Sequence, residues 1–305
     1  MDIRRIACVG AGLIGHSWAT LFAVKGLSVN LQDLKEETLT EAMTKIKSNV
    51  KFLAEKGVIK KVDAGAALKR VKTSTSLSEA VKDADYVQES IFESYKVKKK
   101  VFNQMDAEAP PETILASSSS ALLMSEIQKA TLKQERCLIA HPFNPPHLIP
   151  LVELVPGKKT SPETIKTTYE LILKMEKVPV VLKKEVQGYI ANRLSRRLYE
   201  EAVDLVDSGV ATVEDVDKAL SAGPGIRWAI MGPHLTYHLG GGPRGIEHWF
   251  EVFGRDFRPS AAKKVIDGVN EMEFVKTKSM EELVRWRDEK LVALLEIIRS
   301  SISGI

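Results

Sequence analysis

A histidine and a carboxylate lie close together in a stretch of sequence that is otherwise apolar and rich in proline. The segment AHPFNPPHLIPLVELVPG, residues 140–157, contains His141 and, as its only acid, Glu153. A histidine titrates near neutral pH and can take the proton of an alcohol, and a carboxylate against its other ring nitrogen stabilises the imidazolium. His141 closes one predicted strand and Glu153 lies on the next, so the two could meet at adjacent strands. The alternative is a hydrogen-bonded core histidine and an edge-strand charge.

A glycine-rich turn follows the first predicted strand. In VGAGLIG, residues 9–15, three glycines fit the pattern G-x-G-x-x-G, and a helical pattern comes directly after it. These glycines allow a tight turn, close approach of backbone to a pyrophosphate, and packing of the helix on the sheet. Asp33 ends the second predicted strand, where an acid accepts from the ribose of NAD and repels the phosphate of NADP. We therefore predict NAD as the cofactor, with contacts from Gly10, Gly12, Leu13, Ile14, Gly15 and Asp33.

The elements that must position these residues alternate between strands and helices up to about residue 185. The predicted strands are 3–9, 27–32, 85–90, 113–117, 136–141, 149–155 and 178–183. Helical patterns fill most of the gaps, which indicates parallel crossovers and a Rossmann-type, doubly wound, mostly parallel α/β sheet. Beyond Gly188 only helical periodicity remains. We predict an NAD-binding domain over residues 1–186 and a smaller all-α domain over 187–305, for substrate binding and dimerisation.

Composition excludes several classes of function. The chain of 305 residues is 44% apolar and 28% charged, with a net charge of +4. No apolar run approaches the length of a membrane span, and the charge is too small and too dispersed to favour nucleic acid. The start leads straight into a strand, and Cys8 and Cys137 lie far apart within strand patterns, which suits reduced thiols. We expect a cytoplasmic protein with no metal site.

Six blocks of sequence, in order, resemble one family. VGAGLIGHSWATLFA, QESIFESYKVKKKVFNQMD, ILASSSSALLMSEI, AHPFNPPHLIPLVELVP, GYIANRL and RWRDEKL together cover nearly the whole chain. They resemble the L-3-hydroxyacyl-CoA dehydrogenase superfamily, and within it the lambda-crystallin branch, which includes L-gulonate 3-dehydrogenase. The resemblance implies an NAD-dependent oxidation of a 3-hydroxyl group.

The resemblance also implies roles for individual residues. The family's active-site Ser, His, Glu and Asn fall on Ser120, His141, Glu153 and Asn192, with His141 as general base and Glu153 as its orienting partner. Ser120 would hydrogen-bond the reacting oxygen, and also the cofactor, while Asn192 would position substrate. The residues alone favour the alternatives, a helix N-cap for Ser120 and a helix-surface side chain for Asn192.

Three further positions match family contacts to the cofactor. These are Glu93 and Lys98, in FESYKVK, and Asn144, in HPFNP, which falls on a cofactor- or substrate-side contact. The alternatives are a solvated helix start for the first two and a turn-forming role for Asn144.

Arg227 bears on the substrate. The block GPGIRWAIMGP, residues 223–233, replaces an apolar stretch of the acyl-CoA enzymes and also resembles carnitine dehydrogenase, a sister branch. A guanidinium suits a free carboxylate through a bidentate pair. The alternative is a structural ion pair within the helical domain.

The sequence therefore predicts an NAD-dependent dehydrogenase of an L-3-hydroxy acid, and gulonate-like acids are the first substrate candidates. A short-chain 3-hydroxyacyl-CoA or carnitine is the alternative substrate, and a structural protein that kept NAD binding without turnover is the alternative class. The helices of the second domain carry more apolar positions than one small bundle needs, and relatives pair through that domain, so we expect a homodimer.

Overall fold

The computed structural model describes residues 2–302, with side chains to residue 298. The chain divides into two compact units, with the division between residues 196 and 197. This lies ten residues beyond the predicted boundary, inside a helix that begins at Ala191.

The first unit is built on one sheet. Within the described residues it has eight strands in the order β3-β2-β1-β4-β5-β6-β7-β8. Only β6 and β7 are antiparallel, because the short connection between them has no helix to carry a parallel crossover. The strands are β1 (Arg5–Val9), β2 (Ser28–Gln32), β3 (Val71–Ser74), β4 (Tyr86–Glu89), β5 (Ile114–Ser117), β6 (Cys137–Pro142), β7 (Leu151–Pro156) and β8 (Val178–Val181).

Helices connect the parallel strands. Ser161 caps the last helix before β8, with its hydroxyl accepting from Thr164 N–H and Pro162 in the first turn, as helix starts favour. The helices are α1 (Leu13–Val24), α2 (Glu36–Glu55), α3 (Lys61–Lys69), α4 (Leu77–Val81), α5 (Tyr95–Glu108), α6 (Met124–Ile127), α7 (Pro162–Lys174) and α8 (Ala191–Asp207), and short 3-10 turns lie at Gln128–Ala130 and Gln134–Arg136.

Alternate side chains of β1 divide the core into two layers. Ile6 and Cys8 pack in one buried apolar cluster, with α1 and α2, while Ala7 and Val9 pack in another, with α5. Successive side chains of a strand point to opposite faces, so the sheet is covered on both faces. The predicted doubly wound fold is confirmed. The order of strands reverses between β1 and β4, and ligands of such sheets bind at the carboxyl ends of the strands there.

The second unit is helical. Thr212 caps its first complete helix by accepting from Asp215 N–H. Its core includes Met231, Leu235, Leu239 and Leu283. The helices are α9 (Val213–Ala222), α10 (Pro224–Trp228), α11 (Pro233–Gly240), α12 (Gly245–Phe253), α13 (Pro259–Asn270), α14 (Glu273–Lys276) and α15 (Met280–Ile302), with a 3-10 turn at Gly242–Arg244. In the part of the chain that is described, no helix combines the length and apolar character needed to cross a membrane.

Candidate active site

His141 and Glu153 are brought together by the antiparallel pair of strands. They lie directly opposite each other in the register of β6 and β7. The distance from His141 Nδ1 to Glu153 Oε2 is 2.9 Å, and the two side chains are 7% and 1% exposed. The predicted meeting at adjacent strands is therefore observed.

The second oxygen of Glu153 holds the start of α8. Oε1 accepts hydrogen bonds from the backbone N–H groups of Ile190, at 2.8 Å, and Ala191, at 3.0 Å. Burial by itself would raise the pKa of Glu153, but the hydrogen bonds from His141 and from these two N–H groups together lower it. Glu153 is thus held ionised. An ionised carboxylate only accepts, so Nδ1 of His141 carries a hydrogen, and in the neutral imidazole the lone pair then lies on Nε2.

Tyr189 was not singled out from the sequence, yet it forms part of this site. Its φ of 51° places a non-glycine residue in the left-handed region, directly after Gly188 with φ 76°. The ring is fully buried and stands edge-on to His141, with 5.2 Å between centroids, and its hydroxyl donates to the carbonyl of Leu122. The turn therefore packs an aromatic wall against the imidazole. Only the sequence pair Gly188–Tyr189 before a helix signalled an unusual turn.

Ser120 and Asn192 also meet, although Ser120 is not a helix N-cap. The helix after it, α6, begins at Met124, with Leu123 in the capping position. The amide of Asn192, on the first turn of α8, donates to the carbonyl of Ser120 at 3.3 Å. Because Glu153 fixes the start of α8, it also fixes where Asn192 lies.

Glu93 holds the loop that carries Ser120. Its Oε1 accepts from the Ser119 hydroxyl at 2.5 Å and from the backbone N–H groups of Ser120 and Ala121. Burial would raise the pKa of Glu93, but the Ser119 hydrogen bond, the Lys98 charge and these N–H groups lower it.

Lys98 is 1% exposed, so it is not part of a solvated helix start. Its ammonium lies 2.6 Å from Glu89 and 3.4 Å from Glu93. Glu89 is completely buried on β4, and a buried carboxylate needs such a partner. Lys98 thus faces two carboxylates, and the predicted cofactor contact of Glu93 and Lys98 stays a prediction.

His141, Ser120 and Asn192 lie at a cavity of about 430 Å³. Asn144, in the loop after β6, is exposed at its edge. A hydrogen bond ties this loop to α1, since the hydroxyl of Ser17 lies 2.6 Å from Nδ1 of His147. The cavity is lined by Ile14, Ser118, Ser120, His141, Pro142, Phe143, Asn144 and Asn192.

A larger cavity of about 560 Å³ opens at the end of β1, and the glycine turn lines it. A Cβ on Gly15 would lie 1.7 Å from the carbonyl oxygen of Gly10, so this position excludes any side chain. A Cβ on Gly12 would meet no atom within 4 Å, because the residue borders the cavity. The backbone there is open to a pyrophosphate, as the pattern requires. Leu13 is 63% exposed in the same turn.

Asp33 lies in the lining of this cavity, just after β2. Its two oxygens accept from the N–H groups of Ala11, at 2.8 Å, and Leu34, at 2.8 Å. These bonds hold the carboxylate next to the glycine turn, where the ribose of a bound NAD would need it.

Arg227 lies in α10 of the second unit, and its side chain is exposed. Among the residues that the structure describes, no carboxylate pairs with it. The alternative of a structural ion pair therefore finds no support.

The two cavities of the first unit share a wall, since Ser90 of the larger one lies 2.8 Å from Ser118 of the smaller one. A dinucleotide cavity at the switch point of a parallel sheet, beside a histidine–carboxylate pair, is the arrangement of a nicotinamide-dependent dehydrogenase. The chain belongs to the 3-hydroxyacyl-CoA dehydrogenase family. Residues 5–186 match the NAD binding domain of that family, and residues 188–286 match its C-terminal domain.

Individual proteins agree with this assignment. The chain is 35% identical over 315 residues to an L-carnitine dehydrogenase of Bacillus cereus, covering 99% of this chain and 95% of that protein. It is 40% identical over 235 residues to a lambda-crystallin homolog of Rattus norvegicus, covering 77% and 74%. The structure of 3-hydroxybutyryl-CoA dehydrogenase from Escherichia coli is similar with a TM-score of 0.70 and 30% identity, covering 88% of this chain and 57% of that chain. The predicted family and NAD as cofactor are confirmed, and the protein is an NAD-dependent dehydrogenase acting on 3-hydroxy groups.

Proposed function

We propose that the protein oxidises the 3-hydroxyl of a small, free L-3-hydroxy acid, with His141 as general base. The observation that carries this proposal is the buried pair of His141 and Glu153, 2.9 Å apart, at the wall of a cavity that also contains Ser120 and Asn192. NAD, when bound, supplies the acceptor for the hydride.

Residues of the first unit remove the proton of the substrate hydroxyl. Nε2 of His141 takes the hydroxyl proton, and the ionised Glu153 stabilises the imidazolium that forms. The buried surroundings strengthen this charge interaction relative to water. Ser120 donates a hydrogen bond to the reacting oxygen, and Asn192, fixed by its bond to the Ser120 carbonyl, positions the substrate. Glu93, Lys98 and Asn144 support the cofactor side of the site.

Arg227 supports a free acid rather than a thioester. It is exposed and has no carboxylate partner among the described residues, so its guanidinium is available to a substrate carboxylate. A CoA thioester offers only a neutral carbonyl in place of this charge. Gulonate-like acids are our first candidates, as the resemblance to the lambda-crystallin branch implies. Carnitine, itself a 3-hydroxy carboxylate, is the second, because an L-carnitine dehydrogenase is 35% identical over 99% of this chain.

The test is NADH formation with L-gulonate, L-carnitine, 3-hydroxybutyrate and 3-hydroxybutyryl-CoA, each with the wild type and Arg227→Met. A charge-assisted bond contributes roughly 1.5–3 kcal/mol, so kcat/KM for the best free acid should fall about 10- to 150-fold in the variant. Activity on the thioester should change much less. If the thioester is the best substrate and Arg227→Met leaves every rate unchanged, the acyl-CoA function replaces this one.

We also propose a cytoplasmic homodimer that pairs through the second unit. This unit exposes large apolar side chains, including Phe253 at 62% and Phe257 at 53%. Exposed apolar groups of this size are typical of protein interfaces. Sedimentation at micromolar concentration should give a dimer, and a monomer would contradict the proposal.

A further inference from the structure

Ser90 lies at the point where the sheet reverses its order, between β1 and β4. It follows β4 directly, and its backbone N–H donates to the carbonyl of Val9 on β1 at 2.7 Å. Its Cβ lies 3.7 Å from the place where a Cβ on Gly15 would be. The side chain is half-buried and lines the dinucleotide cavity. It therefore faces the glycine turn that receives a pyrophosphate.

The hydroxyl oxygen of the neighbouring Ser118 accepts hydrogen bonds from two groups that can only donate. The indole N–H of Trp18, which can only donate, lies 3.2 Å from Ser118 Oγ, and the amide nitrogen of Gln88 lies 2.7 Å from it. The orientation of Gln88 is fixed, because the same nitrogen also lies 3.2 Å from the carbonyl of Ala140, which can only accept. The Tyr86 hydroxyl donates to the other end of that amide at 3.0 Å.

The number of hydrogens and acceptor positions on the Ser118 hydroxyl determines the direction of its hydrogen bond with Ser90. A hydroxyl has two acceptor positions and one hydrogen, and Trp18 and Gln88 fill both acceptor positions of Ser118. The hydrogen of Ser118 must therefore go to Ser90 Oγ, which lies 2.8 Å away. Ser90 is then an acceptor in this bond, and its own hydrogen points elsewhere. Among the described residues, no other group forms a hydrogen bond with that oxygen.

We propose that Ser90 donates a hydrogen bond to an oxygen of the bound NAD on its nicotinamide side, in the phosphate or the ribose of that half, because its partner Ser118 lines the cavity that contains His141. Those oxygens are acceptors, and the glycine turn that faces Ser90 is the part of the site that receives them. The buried chain of Trp18, Gln88 and Ser118 positions Ser90 as a donor before the cofactor arrives. This inference depends on NAD binding alone, so it stands whether or not the proposed free-acid substrate is correct.

The test is the binding of three ligands, without turnover. NADH and ADP-ribose contain the pyrophosphate and both ribose positions, whereas AMP contains only the adenosine end with one phosphate. Dissociation constants are measured by calorimetry for the wild type and Ser90→Ala, with Ser28→Ala as a matched control because Ser28 is exposed at the start of β2. Loss of one such bond should raise the Kd for NADH and for ADP-ribose about 3- to 30-fold. The Kd for AMP, and every Kd of the control, should stay within twofold.

A second variant, Ser90→Cys, keeps the test valid if Ser90→Ala disturbs the fold. Ser90→Cys fills nearly the same space with a weak donor, so it should repeat the pattern of Ser90→Ala. Unchanged binding of NADH and ADP-ribose in both variants would overturn the proposal. An equal loss for AMP would also overturn it, because this result would indicate a disturbed cavity rather than a lost contact at the pyrophosphate.

Discussion

Replacing Glu153 by glutamine should invert the hydrogen bond on which the base depends. The single carbonyl oxygen of glutamine would be taken by the two N–H donors of Ile190 and Ala191, which lie 2.8 and 3.0 Å from Glu153 Oε1. Its NH₂ group would then face His141 Nδ1 and could only donate to it. The imidazole would have to carry its proton on Nε2, and no lone pair would remain for the substrate. We expect kcat to fall by up to about 10⁴, the cost of a wrong tautomer in a comparable triad.

The same variant should lose stability in a pH-dependent way. Three bonds to a carboxylate become neutral ones, which costs about 2 kcal/mol of the free energy of unfolding. Glu153 has a folded-state pKa below its ordinary value of 4.5. Its stabilisation is therefore fully present above that value, and it is lost as the pH falls through the folded pKa.

Steady-state kinetics, NADH titration and urea unfolding at several pH values measure these effects. Glu112→Gln is the control, because Glu112 is exposed in the same unit. NADH affinity should be unchanged in both variants. If Glu153→Gln keeps more than a tenth of the wild-type kcat with the same pH profile, the tautomer argument is refuted.

Two further predictions concern the first unit. Asp33→Ala should weaken NAD binding and reduce the preference of the protein for NAD over NADP. An unaltered ratio of the two dissociation constants would refute the ribose contact. Burial, and then the charge of Lys25, lower the pKa of Lys177 from 10.5 to about 8, so the unfolded chain binds more protons than the folded one between these values. Wild-type stability should therefore rise by up to about 3 kcal/mol over that range relative to Lys177→Met, and parallel urea midpoints would contradict this.

The strands could be predicted from the sequence where the hydrophobic pattern and the residue types both indicated a strand. All seven predicted strands form. Six of them consist mainly of buried positions, and the exception is β8, whose Val178 and Val181 are exposed. β3 was missed because its residues VKTS bury only Val71 at the edge of the sheet. Its pattern is that of an exposed segment, and only pairing with β2 makes it a strand.

The site was predictable in its residues but not in its connections. Spacing suggested that His141 and Glu153 could meet, and the register of β6 and β7 shows that they do. No local pattern could indicate that Glu153 also holds the start of α8, or that Lys98 is buried between two carboxylates. The first contact joins residues 37 positions apart, and the second forms only because α5 packs Lys98 back against the end of β4, where Glu89 is buried.

The central claim is that His141 is the base, and the most direct measurement is the turnover of His141→Ala with and without added imidazole. On the best substrate of the wild type, kcat/KM should fall by roughly 10²–10⁴, the usual contribution of general base catalysis. The Kd for NADH should be nearly unchanged, and imidazole should restore part of the activity. A variant that keeps more than half of its activity would contradict the claim.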